Sequence, residues 1–233
     1  MTRRSLRLVK LLVWIGSLTP AVILVLRALN VGSLSLGANP VEELLNTCGK
    51  TGLNLLMITL MVTPVRRATG LNWLIRLRRL LGLFAFFYLT MHFLTYLALD
   101  LGFAWGTVLV DIAERPYITV GFTALMLLVP LAVTSTNGWQ RRLGPKWFKL
   151  HRLVYVIAVL AVVHYWWQVK LDIADPAWYA LLLSILFGAR LKHWLDVRRK
   201  RRELVDAKPA MATAYHGIEP PQAGHETGHQ RNT

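Results

Sequence analysis

One cysteine and few acidic residues mark this chain of 233 residues, which has 12 aspartates and glutamates against 27 lysines and arginines. The single thiol, Cys48, excludes an intrachain disulfide, a cysteine-ligated cluster and a thiol pair, and its small neighbours predict a core residue. The sequence also lacks a GxGxxG fingerprint, and the tail after the last hydrophobic run has no room for a dinucleotide-binding domain. We therefore expect any nicotinamide chemistry to belong to another polypeptide.

A basic and hydrophobic chain suggests either a nucleic-acid-binding protein or a multi-pass membrane protein, and the long hydrophobic runs favour the second. The net charge of +15 fits a nucleic-acid-binding protein, but zinc spacing, a recognition-helix pattern and an aromatic–basic sheet motif are all missing. The apolar runs instead have about the 17–25 residues that cross a bilayer. They predict an all-α membrane protein with six spans, at residues 8–28, 48–65, 79–99, 116–135, 150–170 and 177–194.

Two of these spans need interpretation. The second is the weakest, because Lys50, Asn54 and Pro64 interrupt it, and we expect it to be short or broken. The first follows several basic residues, as the apolar part of a signal peptide does, but it is long and lacks a clear cleavage site of small residues. We therefore expect a retained first helix.

The basic residues predict the orientation. With the N-terminus in the cytoplasm, only four of the 27 lysines and arginines lie outside, while seven of the 12 acidic residues do. This positive-inside bias explains the net charge without nucleic acid and predicts a membrane protein with both termini cytoplasmic. We expect a membrane domain at 1–195 and a basic, then polar, disordered tail at 196–233. The outer acidic residues at which a partner is expected to dock by charge are Asp100, Asp111, Glu114, Asp172 and Asp175.

Two histidines, His92 and His164, lie deep in the third and fifth spans. An ionisable side chain at that depth is costly, so it usually faces the bundle interior and binds something. The two helices run in the same direction, and at a rise of about 1.5 Å per residue both rings fall within one turn of the same level. Two such imidazoles predict a b-type haem site with the iron between them. The alternative is that each histidine hydrogen-bonds separately within the bundle.

His151 is a candidate ligand for a second haem. It lies 13 residues before His164, about 20 Å lower at the cytoplasmic border, and the two rings point about 140° apart on an ideal helix. The position that should face it on the third span holds Arg78 or Arg79, not histidine. His193 is a substitute partner, and the alternative for His151 is an interfacial histidine among basic residues.

The arginines beside these histidines have two interpretations. Most serve as topology signals and headgroup anchors. Arg78, Arg79 and Arg152 also stand where haem propionates, a flavin phosphate or a quinone headgroup need positive charge.

Two stretches resemble a known family. RRLLGL at 78–83, followed by Tyr88 and His92, resembles the histidine-bearing third helix of ferric-reductase-like transmembrane domains. LAVTS at 131–135, RRLG at 141–144, Trp147 and LHRLVY at 150–155, continuing to His164, are similar to the MsrQ (YedZ) family, the haem-binding membrane subunits of bacterial periplasmic methionine sulfoxide reductase systems. The resemblance covers about residues 5–195.

The resemblance implies a six-helix inner-membrane cytochrome b of the ferric-reductase-like type, with one haem b or two on His92, His151 and His164. It implies electrons from the quinone pool or a cytosolic flavin reductase, and a periplasmic molybdopterin subunit that reduces methionine sulfoxide, forming a heterodimer with this chain. FMN is implied by the resemblance alone, and no residue of this chain is expected to be catalytic. The alternatives are a ferric-chelate or oxygen reductase cytochrome and a non-redox transporter whose histidines relay protons.

Overall fold

The computed structural model describes residues 3–169 and 173–216, and in these ranges the chain is helical with no strand. A 3₁₀ helix at Asn72–Leu77 precedes α3, and a π-helical turn at Tyr96–Asp100 follows it. The nine α-helices of these ranges are α1 (Arg3–Ala28), α2 (Pro40–Thr69), α3 (Arg78–Thr95), α4 (Trp105–Glu114), α5 (Pro116–Val133), α6 (Asn137–Leu143), α7 (Pro145–Leu150), α8 (Leu153–Gln168) and α9 (Ala174–His216).

Five helical segments of the described residues are long and apolar enough to cross a membrane. They match the first five predicted spans, whereas the sixth predicted span lies within α9, which also carries the charged residues from Arg190 onward. The sixth span and the cytoplasmic position of the termini therefore stay predictions. The five segments are Arg4–Ala28, Pro40–Thr69, Asn72–Asp100, Pro116–Val133 and Pro145–Gln168.

The second span is longer than the sequence predicts. Helix α2 runs without interruption through Pro64, because a proline near the end of a helix removes only one late hydrogen bond. Pro40 takes the first helical position, where a missing N–H is harmless, and Gly70 ends the helix in a left-handed conformation with φ of 72°. Continuous α2 spans the whole bundle and can therefore support α3 along its length.

The core is a bundle in which α2 packs against α3, α5 packs against α8, and α3 joins the two pairs through α5. Small residues at the contacts let the helices approach closely: Ala85 on α3 and Ala158 on α8 are both fully buried. Large apolar side chains of the same core, such as Leu56, Leu60 and Ile157, are also almost completely buried. This arrangement fixes the relative positions of α3 and α8, the helices that carry His92 and His164.

The chain divides into two compact units, residues 1–187 and 188–233, and the predicted boundary at 195 between a membrane domain and a tail stays a prediction. In the second unit α9 continues to His216, where the sequence analysis expects disorder from residue 196. Straight-chain residues favour a helix here, and Arg199 forms an ion pair with Glu203 one turn on, at 3.0 Å. Residues 217–233 of the predicted tail lie outside the described residues.

The start of α9 is tied to α2 and α8 by a surface polar cluster that gives a pH prediction. Lys50 donates to Asp175 Oδ2 at 2.6 Å, and the Tyr165 hydroxyl donates to the same oxygen at 3.1 Å. These bonds hold the pKa of Asp175 below its ordinary value of 3.8. Because the folded-state pKa is lowered, the stabilisation is complete above pH 4 and is lost as the pH falls through the lowered value.

We therefore expect the melting temperature of the detergent-solubilised protein to fall below pH 4 more steeply in the wild type than in Asp175→Asn. The difference is small, because the pair is exposed and screened by water. Equal acid slopes in the two proteins would show that this contact does not contribute.

Candidate functional site

The two histidines deep in the bundle meet. The rings of His92 on α3 and His164 on α8 have centroids 6.2 Å apart, with planes at 81°. Both rings are half-buried, and they lie at the same level as the rise per residue predicts. The structure thus brings together the pair on which the sequence analysis depends.

Each of these rings is held by a backbone carbonyl through the same nitrogen. His92 Nδ1 lies 2.9 Å from the carbonyl oxygen of Leu45, and His164 Nδ1 lies 2.7 Å from that of Tyr117. A carbonyl only accepts, so both Nδ1 atoms carry the hydrogen and donate it. This leaves Nε2 of each ring with a free lone pair, the atom with which a neutral imidazole binds a metal.

Both rings also lie directly on a glycine. A Cβ atom added to Gly49 would lie 3.0 Å from His92 Nδ1, and one added to Gly121 would lie 2.6 Å from His164 Nδ1. A larger residue at Gly121 would occupy the place of the imidazole, and one at Gly49 would force the ring of His92 to move by a few tenths of an ångström. The sequence analysis missed these two glycines, because a glycine within an apolar helix carries no signal of what packs on it.

A cavity of about 270 Å³ lies at the histidine pair. Its volume is just below the range of about 300–1,000 Å³ for ligand pockets, and its wall is apolar and aromatic with a few polar groups, as cofactor sites usually are. The lining residues include Leu89, His92, Phe93, Phe122, Ala161 and His164.

The donor set fits a haem iron. An imidazole nitrogen lies about 2.0 Å from a metal it binds, so two rings on opposite sides of one ion have centroids roughly 6 Å apart. The observed 6.2 Å agrees, and the described residues contain no group of three or more His, Cys, Asp and Glu side chains that suggests a different metal centre. Two neutral imidazoles are an axial ligand pair for b-type haem.

Two positively charged side chains line the cavity, and the sequence analysis did not predict them as site residues. Lys50 is paired with Asp175, and Arg115 Nε lies 3.1 Å from Asp111 Oδ1. The hydrogen bond of Arg115 to Tyr117, followed by the charge of Asp111, raises the pKa of the guanidinium. The sequence carried one signal for these two residues. Both belong to the four lysines and arginines that the predicted orientation places on the outer side of the membrane.

The buried carboxylate of Asp111 contacts two residues of the cavity wall, Tyr96 and Arg115. It accepts a hydrogen bond of 2.6 Å from the Tyr96 hydroxyl, and Tyr96 begins the π-helical turn that follows α3. Such turns often occur at functional sites. Asp111 is therefore a structural residue and not part of the exposed docking surface expected from the sequence, whereas Asp100 and Glu114 are exposed and Asp172 lies outside the described residues.

His151 lies apart from this pair. Its ring stacks on Trp147 with centroids 3.9 Å apart, and its Nδ1 lies 3.2 Å from the Trp147 carbonyl. Its Nε2 is buried and makes no hydrogen bond of good geometry among the described residues, although the backbone of Leu131 lies beside the ring. No other histidine ring contacts it in residues 3–169 and 173–187, and His193 belongs to the second unit.

The three predicted arginines differ in their surroundings. Arg78 is half-buried and lies within electrostatic range of His151. Arg79 is exposed and donates to Asn137 Oδ1 at 3.1 Å, and Arg152 is exposed. Arg78, and not Arg79, is thus the residue of α3 that approaches His151.

Comparison with known proteins identifies the family. Residues 48–162 match the family model described as ferric reductase like transmembrane component. A protein of Xanthomonas campestris pv. campestris (strain 8004), named protein-methionine-sulfoxide reductase heme-binding subunit MsrQ, is 50% identical over 190 residues, which are 82% of each chain. The chain belongs to the MsrQ family.

Further MsrQ proteins support the assignment. That of Xanthomonas oryzae pv. oryzae (strain MAFF 311018) is 46% identical over 215 residues, 91% of this chain and 98% of the relative. That of Ralstonia nicotianae (strain ATCC BAA-1114 / GMI1000) is 49% identical over 192 residues, 81% of this chain and 87% of the relative. No solved structure matches the chain. The family resemblance seen in the sequence is thus confirmed, and with it a multi-pass membrane protein of the ferric-reductase-like class.

Proposed function

We propose that this chain is the haem-binding electron-transfer subunit of a membrane methionine sulfoxide reductase system, with His92 and His164 as the axial ligands of one haem b. One observation carries the proposal: two deep imidazoles face each other at 6.2 Å, and each is held at Nδ1 so that its Nε2 is available. The MsrQ relatives, which are named heme-binding subunits, support it.

The residues of this chain hold and tune the cofactor. His92 and His164 would bind the iron, Leu45 and Tyr117 orient the rings through their carbonyls, and a bound haem would supply one-electron oxidation and reduction. The apolar cavity wall excludes water from the site. His151 is proposed as the ligand of a second haem, supported by its buried Nε2, which makes no hydrogen bond of good geometry among the described residues.

The electrons balance with a quinol as donor and a sulfoxide as final acceptor. A quinol releases two electrons and two protons, and reduction of a methionine sulfoxide to the thioether and water consumes two of each. This chain passes the electrons singly, from the quinone pool or a cytosolic flavin reductase, to a periplasmic molybdopterin subunit on which the sulfoxide is reduced. We propose a heterodimer with that subunit, docking on Asp100 and Glu114, which are exposed.

Two further parts of the proposal are six spans in the inner membrane with cytoplasmic termini, and FMN as an additional cofactor. The family supports both parts, and the charge distribution also supports the orientation of the spans. Arg78, Arg79 and Arg152 would bind haem propionates, a flavin phosphate or a quinone headgroup, and Arg78 has the best support because it lies near His151.

The test uses the purified full chain in proteoliposomes, with haem reduced by a quinol. We expect a reduced b-type spectrum, and rapid reoxidation when the periplasmic reductase and methionine sulfoxide are added together. The reductase without sulfoxide, and sulfoxide without the reductase, are the controls and should leave the haem reduced. A chain that binds no haem after haem-replete expression would refute the cytochrome, and equally fast reoxidation by a ferric chelate alone would favour the ferric-reductase alternative.

A further inference from the structure

The two halves of the bundle hold their histidines in the same way. Each histidine donates to the carbonyl of a residue 47 positions earlier in the chain, Leu45 for His92 and Tyr117 for His164. In each case a glycine follows that carbonyl by four residues: Gly49 on α2 and Gly121 on α5. Two unrelated contacts would not be expected to share this arrangement.

Helix geometry explains why the glycine stands four residues after the carbonyl. Within an α-helix a carbonyl already accepts the N–H of the residue four positions on, and that residue lies on the same face one turn further. A side chain at that position would cover the carbonyl. Glycine leaves the carbonyl open, so that an imidazole from the neighbouring helix can share it as a second donor.

Both glycines lie in close contact with an imidazole ring, and the contact is closer at Gly121 than at Gly49. A Cβ on Gly121 would lie 2.6 Å from Nδ1 and 2.8 Å from Cε1 of His164, which no relaxed structure allows. A Cβ on Gly49 would lie 3.0 Å and 3.3 Å from the same atoms of His92. The ring cannot turn aside without losing its hydrogen bond, because the clashing atom, Nδ1, is the donor.

We propose that Gly49 and Gly121 are positioning residues, which give each imidazole access to its carbonyl and thereby set both the affinity for haem and its reduction potential. This inference rests on the proposed function. A hydrogen bond from Nδ1–H raises the basicity of the ligand nitrogen, which stabilises ferric over ferrous iron. Removing the glycine therefore raises the reduction potential, and it lowers haem affinity by about 10- to 100-fold, the usual effect of losing an outer-shell partner of a ligand.

The experiment compares Gly121→Ala and Gly49→Ala with Gly82→Ala in the full detergent-solubilised chain. Gly82 lies on α3, and its added Cβ would meet only Thr59 Cγ2 at 3.9 Å, so this variant controls for glycine replacement in a helix. Haemin titration measures affinity, a spectroelectrochemical titration measures the potential, and electron paramagnetic resonance reports the ligand planes. We expect the largest effect in Gly121→Ala, a smaller one of the same sign in Gly49→Ala and none in Gly82→Ala.

The outcomes separate this inference from the proposed function. A wild-type chain that binds haem, with affinity and potential unchanged in Gly121→Ala, overturns the positioning role and leaves the cytochrome intact. If Gly121→Ala does not fold, Gly49→Ala takes its place, and unchanged haem affinity and reduction potential in that variant overturn the positioning role. If the wild type binds no haem, the proposed function fails, and the role of the glycines is decided by ¹⁵N-histidine NMR of the haem-free protein. Loss of the Nδ1–H tautomer in the alanine variants supports it, and an unchanged tautomer contradicts it.

Discussion

Replacement of His164 by alanine is expected to abolish the six-coordinate b-type spectrum of the haem between α3 and α8, and His92→Ala is expected to do the same. Each variant removes one of the two proposed axial ligands, and the cavity wall, as far as the structure describes it, contains no other histidine to take its place. The loss should be essentially complete, because haem retained on one histidine would be five-coordinate. A reduced-minus-oxidised spectrum with the haem-to-protein ratio measures it.

Gln168→Ala is the matched control, because Gln168 also lines the cavity and lies one turn after His164, but does not ligate iron. It should keep the wild-type spectrum. His151→Ala extends the experiment: it should lower the haem-to-protein ratio by one if His151 binds a second haem, and leave it unchanged otherwise. A full bis-histidine spectrum in His164→Ala would reject the assignment of the ligands.

The equal depth of His92 and His164 was predictable from the sequence, and their inward direction was expected because an ionisable side chain at that depth usually faces the bundle interior. Apolar runs give the spans, charge gives the directions, and the helical rise then gives the level of each residue. The same reasoning left the facing residue of His151 open between Arg78 and Arg79. The sequence could not choose between the two arginines, because neighbouring residues on a helix point about 100° apart. Only the packing of α3 decides which of them faces inward.

The contacts that hold the histidines were not predictable, because they are made between helices far apart in the chain. Nothing in the sequence of α2 distinguishes Gly49 from Gly52, yet only Gly49 lies beneath an imidazole; a Cβ on Gly52 would meet Leu89. Lys50 and Arg115 were likewise counted as topology signals. Their place in the cavity wall follows from the rotation of each helix, which composition does not report.

A contact between α1 and α3 explains how a helix with little burial is attached to the bundle. Tyr88 on α3 is completely buried, and its hydroxyl donates to the carbonyl oxygen of Ser17 at 2.6 Å and accepts from the backbone N–H of Ala21 at 3.0 Å. These two backbone groups are an i, i+4 pair beside Pro20, whose ring disturbs the helix and which lacks its own N–H. One phenol thus satisfies both groups at a depth where water is absent.

Tyr88→Phe should therefore lower the free energy of unfolding by about 1–3 kcal/mol, the cost of leaving a buried backbone group without its partner. The control is Tyr179→Phe, which removes a hydroxyl that donates to Asn54 Oδ1 at 2.8 Å at an exposed site and should cost less than about 1 kcal/mol. Unfolding by sodium dodecyl sulfate in mixed micelles measures both variants against the wild type. Equal losses in the two would mean that α1 repairs its own hydrogen bonds when the phenol is removed, and that Tyr88 joins α1 to α3 only by packing.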